Sequence, residues 1–244
     1  MHVNVACKTT PGRIRTSNED NVYLDGIWLE EGKQSGHPQT SEGRSFHTYA
    51  VCDGMGGESF GEIASLLAVQ TLAKWDGPDL ADRFREYIDA ANRLICDEAS
   101  RRLVNRMGAV IAILRLAEGR AAICNLGDCR VYQYDDRGMR QLSEDHRTDL
   151  PGIGEGMLTQ NLGIPEDEFV LEPHIIRDIH IDRETLFLLC SDGLTDMVTD
   201  QMLEENLREK AGETPAAIAG ELLMAAARQG GRDNITALVV QVTP

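Results

Sequence analysis

The chain has 244 residues, 42% hydrophobic and 26% charged, enough to bury a substantial core within the size range of one domain. Forty acidic residues against 24 basic ones give a net charge of −16, which opposes association with nucleic-acid phosphates or anionic lipid, and no local basic patch offsets it. No apolar run reaches the ~20 residues of a membrane span, and Met1 to Thr10 has neither a basic leader nor an apolar core, so a soluble, cytoplasmic protein off the membrane is expected.

Apolar and β-branched runs bounded by turn residues predict strands at about Val3 to Lys8, Asn21 to Leu29, His47 to Cys52, Ala109 to Leu116, Ala121 to Leu126, Val131 to Tyr134, Thr185 to Cys190 and Ile235 to Val242. Asp135-Asp136-Arg137-Gly138 reads as a hairpin turn into a short run near Arg140. Between the early strands, residues 30–45 (EEGKQSGHPQTSEGRS) are polar and turn-rich, which predicts a mobile insertion rather than a domain linker. The six cysteines form no C-x-x-C pair; Cys52, Cys124 and Cys190 sit in strand-like runs, so reduced core thiols are expected.

Helical spacing appears twice. Ile63, Leu66 and Leu67, then Leu80, Phe84, Tyr87, Ile88, Ala91, Leu94 and Ile95, predict two amphipathic helices broken at Gly77-Pro78. A second pair covers about Asp200 to Lys210 and Pro215 to Gln229, with Thr214 placed to cap and Pro215 suited to the first helical position. Strands, two helices, more strands, two helices and a last strand imply an α+β fold with mainly antiparallel sheet, in one domain over residues 1–244.

Among many carboxylates that serve as solvated surface, five share a context. Asp20 precedes a predicted strand, Asp53 and Asp192 end apolar runs and precede glycine, Asp128 follows Leu126-Gly127, and Asp233 precedes the final strand. Strand ends on a packed sheet are rigid platforms, so carboxylates there can converge on one point. An all-carboxylate site suits hard cations such as Mg²⁺, Mn²⁺ or Ca²⁺, and two such ions can turn a shared water into a nucleophile for attack on phosphorus. Taken singly, each Asp-Gly is as well explained as a turn, and Asp196 as a helix cap.

Read together, the segments resemble the metal-dependent protein phosphatase family, the PPM or type 2C class. Arg15-Thr16-Ser17-Asn18-Glu19-Asp20 is similar to its R-x-x-N-E-D opening, and Asp53-Gly54-Met55-Gly56-Gly57 with Gly61 to Ser65 to its D-G-M-G-G and G-E-x-A-S. Gly127 to Tyr132, Ser143 to His146, Ser191 to Asp196 and Asp233 to Thr236 follow in the family's order. The resemblance implies an αββα sandwich, two central sheets flanked by helix pairs. It implies Asp53, Asp192, Asp233 and the Gly54 carbonyl as ligands of two tight Mn²⁺ or Mg²⁺ ions, with Asp20, and Glu19 beside it, acting through bound water. Asp128 corresponds to a third, looser metal, and Arg15 to the residue that grips the substrate phosphate.

The implied activity is hydrolysis of phosphoserine or phosphothreonine in proteins by a metal-bridged water. The partners would be phosphorylated substrates, a Ser/Thr kinase or its targets, and the protein a monomer. The alternative is an inactive regulatory binding protein of the same fold. This chain departs from the pattern in four places. Met55 stands where eukaryotic members carry histidine, so a general acid is missing, and His146 reads as structural. Cys129 and Gly108-Ala109-Val110 are small changes. The helical flap of bacterial relatives is shortened to about residues 147–163.

Overall fold

The computed structural model of the chain describes residues 1–30, 44–55, 60–104, 106–148 and 156–244. Strands β1 (His2–Thr10), β2 (Asn21–Leu24), β3 (Ile27–Trp28) and β4 (Phe46–Met55) come first, followed by helices α1 (Gly61–Trp75) and α2 (Phe84–Arg102). Strands β5 (Gly108–Ala117), β6 (Arg120–Leu126), β7 (Arg130–Asp135), β8 (Gly138–Gln141), β9 (His174–His180) and β10 (Thr185–Cys190) lead to α3 (Asp192–Thr195), α4 (Asp200–Glu209), α5 (Pro215–Arg228) and β11 (Ile235–Thr243). They form one sheet of order β1-β11-β10-β7-β8 and another of order β3-β2-β4-β5-β6-β9, with every pairing antiparallel.

The strands alternate, and the alternation builds three apolar layers. Leu238, Val240 and Val242 of β11 and Tyr49 and Val51 of β4 meet in a core between the sheets. Their neighbours turn the other way: Ala237 and Val239 pack with Leu203, Leu207 and Leu222 of α4 and α5, while Ala50 and Cys52 pack with Val69, Leu72 and Tyr87 of α1 and α2. Period-2 side chains thus give each sheet one face for its partner sheet and one for a helix pair. The order helices, sheet, sheet, helices is the sandwich that the sequence implied.

Most boundaries agree with the predicted ones, and the exceptions have local causes. The run from Asn21 to Leu29 is two strands, because Asp25 (φ 49) and Gly26 (φ 97) turn left-handed and fold it into a hairpin. Leu80 is buried but precedes α2, in a turn where Leu80 N–H donates to Gly77 O at 3.2 Å. Strand β9 was not predicted: it is an edge strand with His174, Arg177, Asp178 and His180 among its seven residues, so it has no clean apolar alternation. Nor was α3, too short to carry a period. Asp196 is a helix cap, at the C-terminal end of α3, with its N–H donating to Asp192 O at 2.7 Å.

Thr214 and Thr199 cap α5 and α4, accepting from Ala217 N–H at 3.3 Å and Met202 N–H at 3.4 Å. All six cysteines are free, and only Cys96 is not buried. No described helix is long and apolar enough to cross a membrane. The predicted insertion, apart from its ends, and residues 149–155 of the predicted short flap lie outside the described residues.

Candidate active site

Antiparallel register gathers the five aspartates at one end of the sandwich. Asn21 pairs with Cys52, so Asp20 and Asp53 are the next residues along, at the start of β2 and the end of β4. Cys190 pairs with Ala237, which brings Asp192, just past β10, toward Asp233, just before β11. Asp128 sits in the turn from β6 to β7. The result is a polar cleft of about 200 Å³ lined by Asp53, Asp128, Asp192, Asp233, Glu19, Arg15 and the Gly54 backbone.

Asp20 lies beneath this cleft, 3% exposed. Its Oδ2 accepts from Ser191 Oγ at 2.8 Å and Thr236 Oγ1 at 2.5 Å, whereas its buried Oδ1 has no hydrogen-bond partner. Burial pushes its carboxyl up to about 7 against the two hydroxyl donors, with Asp192 and Asp233 adding repulsion. Asn234 fixes the approach of the first loop: it accepts from Glu19 N–H at 2.8 Å and donates to Ser17 O at 2.8 Å. An asparagine amide can accept from one backbone strand and donate to another, which apolar or purely anionic residues cannot.

Two glycines are required by contact. A Cβ on Gly54 would run into the Gly61 carbonyl, and one on Gly193 into the Asn234 carbonyl. The first contact seats α1 against the end of β4, with Ser65 Oγ donating to Glu19 O at 2.6 Å. The second seats α3, and with it Asp192, against the start of β11.

Burial and, behind it, charge repulsion raise the carboxyls of the cleft. Asp53 is held well above the usual carboxylate range by burial, then by Asp20, Asp192, Asp128 and Asp233. Asp192 is pushed up to about 6 by burial, Asp128 and Asp196, with Arg147 opposing. Two arginines stand among the carboxylates: Arg15 Nη2 donates to Asp233 Oδ2 at 2.7 Å, and Arg147 Nη2 to Asp192 Oδ2 at 2.9 Å. Among the described residues no three Asp, Glu, His or Cys side chains are already closed around one point as a ligand set.

Of the residues singled out in the sequence, Arg15, Asp53, Gly54, Asp128, Asp192 and Asp233 line the cleft, and Asp20 forms its buried floor. His146 stays apart from it, its Nδ1 accepting from Gly127 N–H at 2.9 Å, and burial lowers its pKa. Sequence reasoning missed the roles of Ser191, Thr236, Asn234 and Arg147. The first three sit inside motifs, where their placement beside each aspartate was the available signal. Arg147 gave none, since an arginine in a loop looks like ordinary surface.

The protein phosphatase 2C family profile matches residues 35–213. The serine/threonine phosphatase stp of Listeria innocua is 31% identical, over 96% of this chain and 94% of that protein. The serine/threonine protein phosphatase PstP of Mycobacterium tuberculosis is 28% identical, over 97% of this chain and 44% of that protein. Among solved structures, the PstP catalytic domain in complex with 2 manganese ions superposes with a TM-score of 0.77 at 27% identity, covering 100% of this chain and 99% of that one.

Proposed function

This chain belongs to the protein phosphatase 2C family and is a metal-dependent protein phosphatase, and we propose that it hydrolyses phosphoserine and phosphothreonine at the acidic cleft, opposing a Ser/Thr kinase. One observation carries the placement: Asp53, Asp128, Asp192 and Asp233 share one cleft with the Gly54 backbone, above the buried Asp20. An inactive relative of the same fold would have no reason to keep this repulsive arrangement, so the regulatory alternative is not favoured.

The donor set fits hard divalent ions. Every donor is oxygen, the aspartates crowd each other enough to favour protonation, and Asp20 Oδ1 is buried without a partner. In this reading Asp53, Asp192, Asp233 and the Gly54 carbonyl hold two Mn²⁺ or Mg²⁺ ions, with Asp20 ordering water behind them. Bound there, the ions would supply a water ionised near neutral pH and positive charge for an in-line displacement at phosphorus.

The chain's own residues do the rest. Arg15, 56% exposed at the rim, presents a planar fork to the non-reacting phosphate oxygens and exchanges Asp233 for substrate. Met55 lines the cleft but carries no proton, so the leaving alkoxide takes its proton from solvent. His146 is committed to Gly127 and plays no part. The hydrogen bonds to Asp20 and Asn234 hold the platform in register, so the donors need little reorganisation. We place the protein in the cytoplasm as a single-domain monomer acting on phosphorylated proteins.

The test is release of phosphate from a phosphothreonine peptide by protein stripped with EDTA, then supplied with Mn²⁺ or Mg²⁺. Turnover should be absent in EDTA and return with either metal. Equal turnover in both conditions would defeat the reading.

A further inference from the structure

Arg147 is bonded to two of the carboxylates that line the cleft, and the phosphatase reading leaves it unused. Its guanidinium reaches three different carboxylates: Nε donates to Asp128 Oδ2 at 2.5 Å, Nη2 to Asp192 Oδ2 at 2.9 Å, and Nη1 lies 3.5 Å from Asp196 Oδ1. The side chain is 25% exposed and Asp128 only 4%, so the contact is partly shielded from solvent and salt.

The backbone delivers the side chain there. His146 N–H donates to Gly127 O at 3.0 Å while Gly127 N–H donates back to His146 Nδ1, fastening residue 146 beside the turn that carries Asp128. On the other side Thr148 N–H donates to Met157 O at 2.9 Å and Thr159 N–H to His146 O at 2.8 Å. Asp145 is clasped by Arg130, Nη2 to Oδ2 at 2.6 Å. Arg147 therefore has little freedom to leave the cleft by backbone movement.

Asp128 and Asp196 are outer carboxylates beside the inner donors, and Asp192, itself one of those donors, faces them with its Oδ2, the oxygen that Arg147 holds. A guanidinium hydrogen-bonded to Asp128 and Asp192 and paired with Asp196 offsets part of their charge as a cation would, and it fills the space in which an ion would have to sit. We propose that Arg147 is a built-in cation that occupies the outer carboxylates Asp128 and Asp196 together with the Asp192 oxygen that faces them, and keeps a third divalent ion out, leaving this phosphatase with two. This rests on the two-ion reading of the inner site. Its consequence is that the outer carboxylates keep the same counter-charge whatever the metal concentration, so activity depends on divalent ion only through the inner pair.

Counting bound Mn²⁺ tests it. Stripped protein is titrated by calorimetry, with bound metal measured directly after gel filtration. Wild type should bind two ions, and Arg147→Ala three. Arg147→Gln, which keeps hydrogen-bond donors and loses the charge, should also bind three. Arg147→Ala combined with Asp196→Asn should return to two. In EDTA Arg147→Ala should melt about 4 °C below wild type, with the deficit removed by excess Mn²⁺. Three ions in wild type, or two in both single variants, would overturn the proposal and leave the two-ion reading standing. No Mn²⁺ bound by wild type would overturn the two-ion reading itself, and this proposal with it.

Discussion

Thr236 Oγ1 donates to Asp20 Oδ2 at 2.5 Å, across the junction between the two sheets. Because Thr236 spends its proton there, the 2.7 Å contact with Thr9 must have Thr9 as donor, and Thr9 in turn accepts from Asn18 Nδ2 at 2.8 Å. A relay from Asn18 through Thr9 and Thr236 thus ends on a buried carboxylate that Ser191 also holds. Such chains polarise one another and stiffen the floor on which the cleft is built.

The first prediction is a pH dependence of the metal-free protein. The Asp20 carboxyl is raised to about 7 by burial, so between its ordinary value and 7 the folded state binds a proton that the unfolded chain lacks. Stability must then fall as pH rises through that window, at a cost on the order of 4 kcal/mol above it. In EDTA, wild type should melt higher at pH 6 than at pH 8. Asp20→Asn should melt above wild type at pH 8 with a shallower slope, the remainder coming from Asp53, which is held well above the usual carboxylate range, and from Asp192, which is raised to about 6. An unchanged slope in Asp20→Asn would show that this carboxylate is not a buried charge.

Asp53→Asn, Asp192→Asn and Asp233→Asn should each lower turnover to less than about a tenth of wild type, because each removes charge from a centre that must hold two divalent ions. The fold should survive. Asp53→Asn in particular should melt no lower than wild type in EDTA, since burial and four neighbouring aspartates already oppose its ionisation. Steady-state rates and EDTA melts of the same preparations check both parts; a variant with wild-type turnover loses its place in the site.

Arg15→Ala should raise KM about tenfold and change kcat by less than about threefold. A fork on the non-reacting oxygens stabilises bound substrate and transition state alike. Steady-state kinetics with a phosphothreonine peptide decide it. An unchanged KM would make Arg15 a structural partner of Asp233, to which it is bonded at 2.7 Å.

A fourth prediction separates stability from chemistry. Arg115 and Asp76 form an ion pair at 2.9 Å with side chains 2% and 4% exposed, and Arg115 also stacks 3.8 Å over Phe46. Asp76→Ala leaves that guanidinium buried and uncompensated, so it should cost about 3 kcal/mol by denaturant melts. Metal dependence and KM should not change. A shift in either would mean that the two ends of the sandwich are coupled.

How much of this could be read from the chain depends on whether the signal was local. The alternation in β11 and β4, the cap at Thr214 and the break near Gly77-Pro78 are carried by neighbouring residues, and the structure bears them out. Edge strand β9 failed because a strand paired on one side needs no apolar alternation, and α3 because four residues cannot display a period. The aspartates were found by their position at strand ends. What joins them was not: Thr236 reaches Asp20 across 216 residues, and Arg147 meets Asp192 across 45. Those bonds depend on strand order, which periodicity does not encode.

Divalent ions held in the cleft of Asp53, Asp192 and Asp233 can be located by their own scattering. Diffraction from Mn²⁺-soaked crystals, recorded at the manganese edge, tests their placement most directly. Two anomalous peaks are expected within bonding distance of those carboxylates and the Gly54 carbonyl, with none between Asp128 and Asp196. Peaks that avoid these residues, in crystals of protein that turns over with Mn²⁺, would contradict that placement.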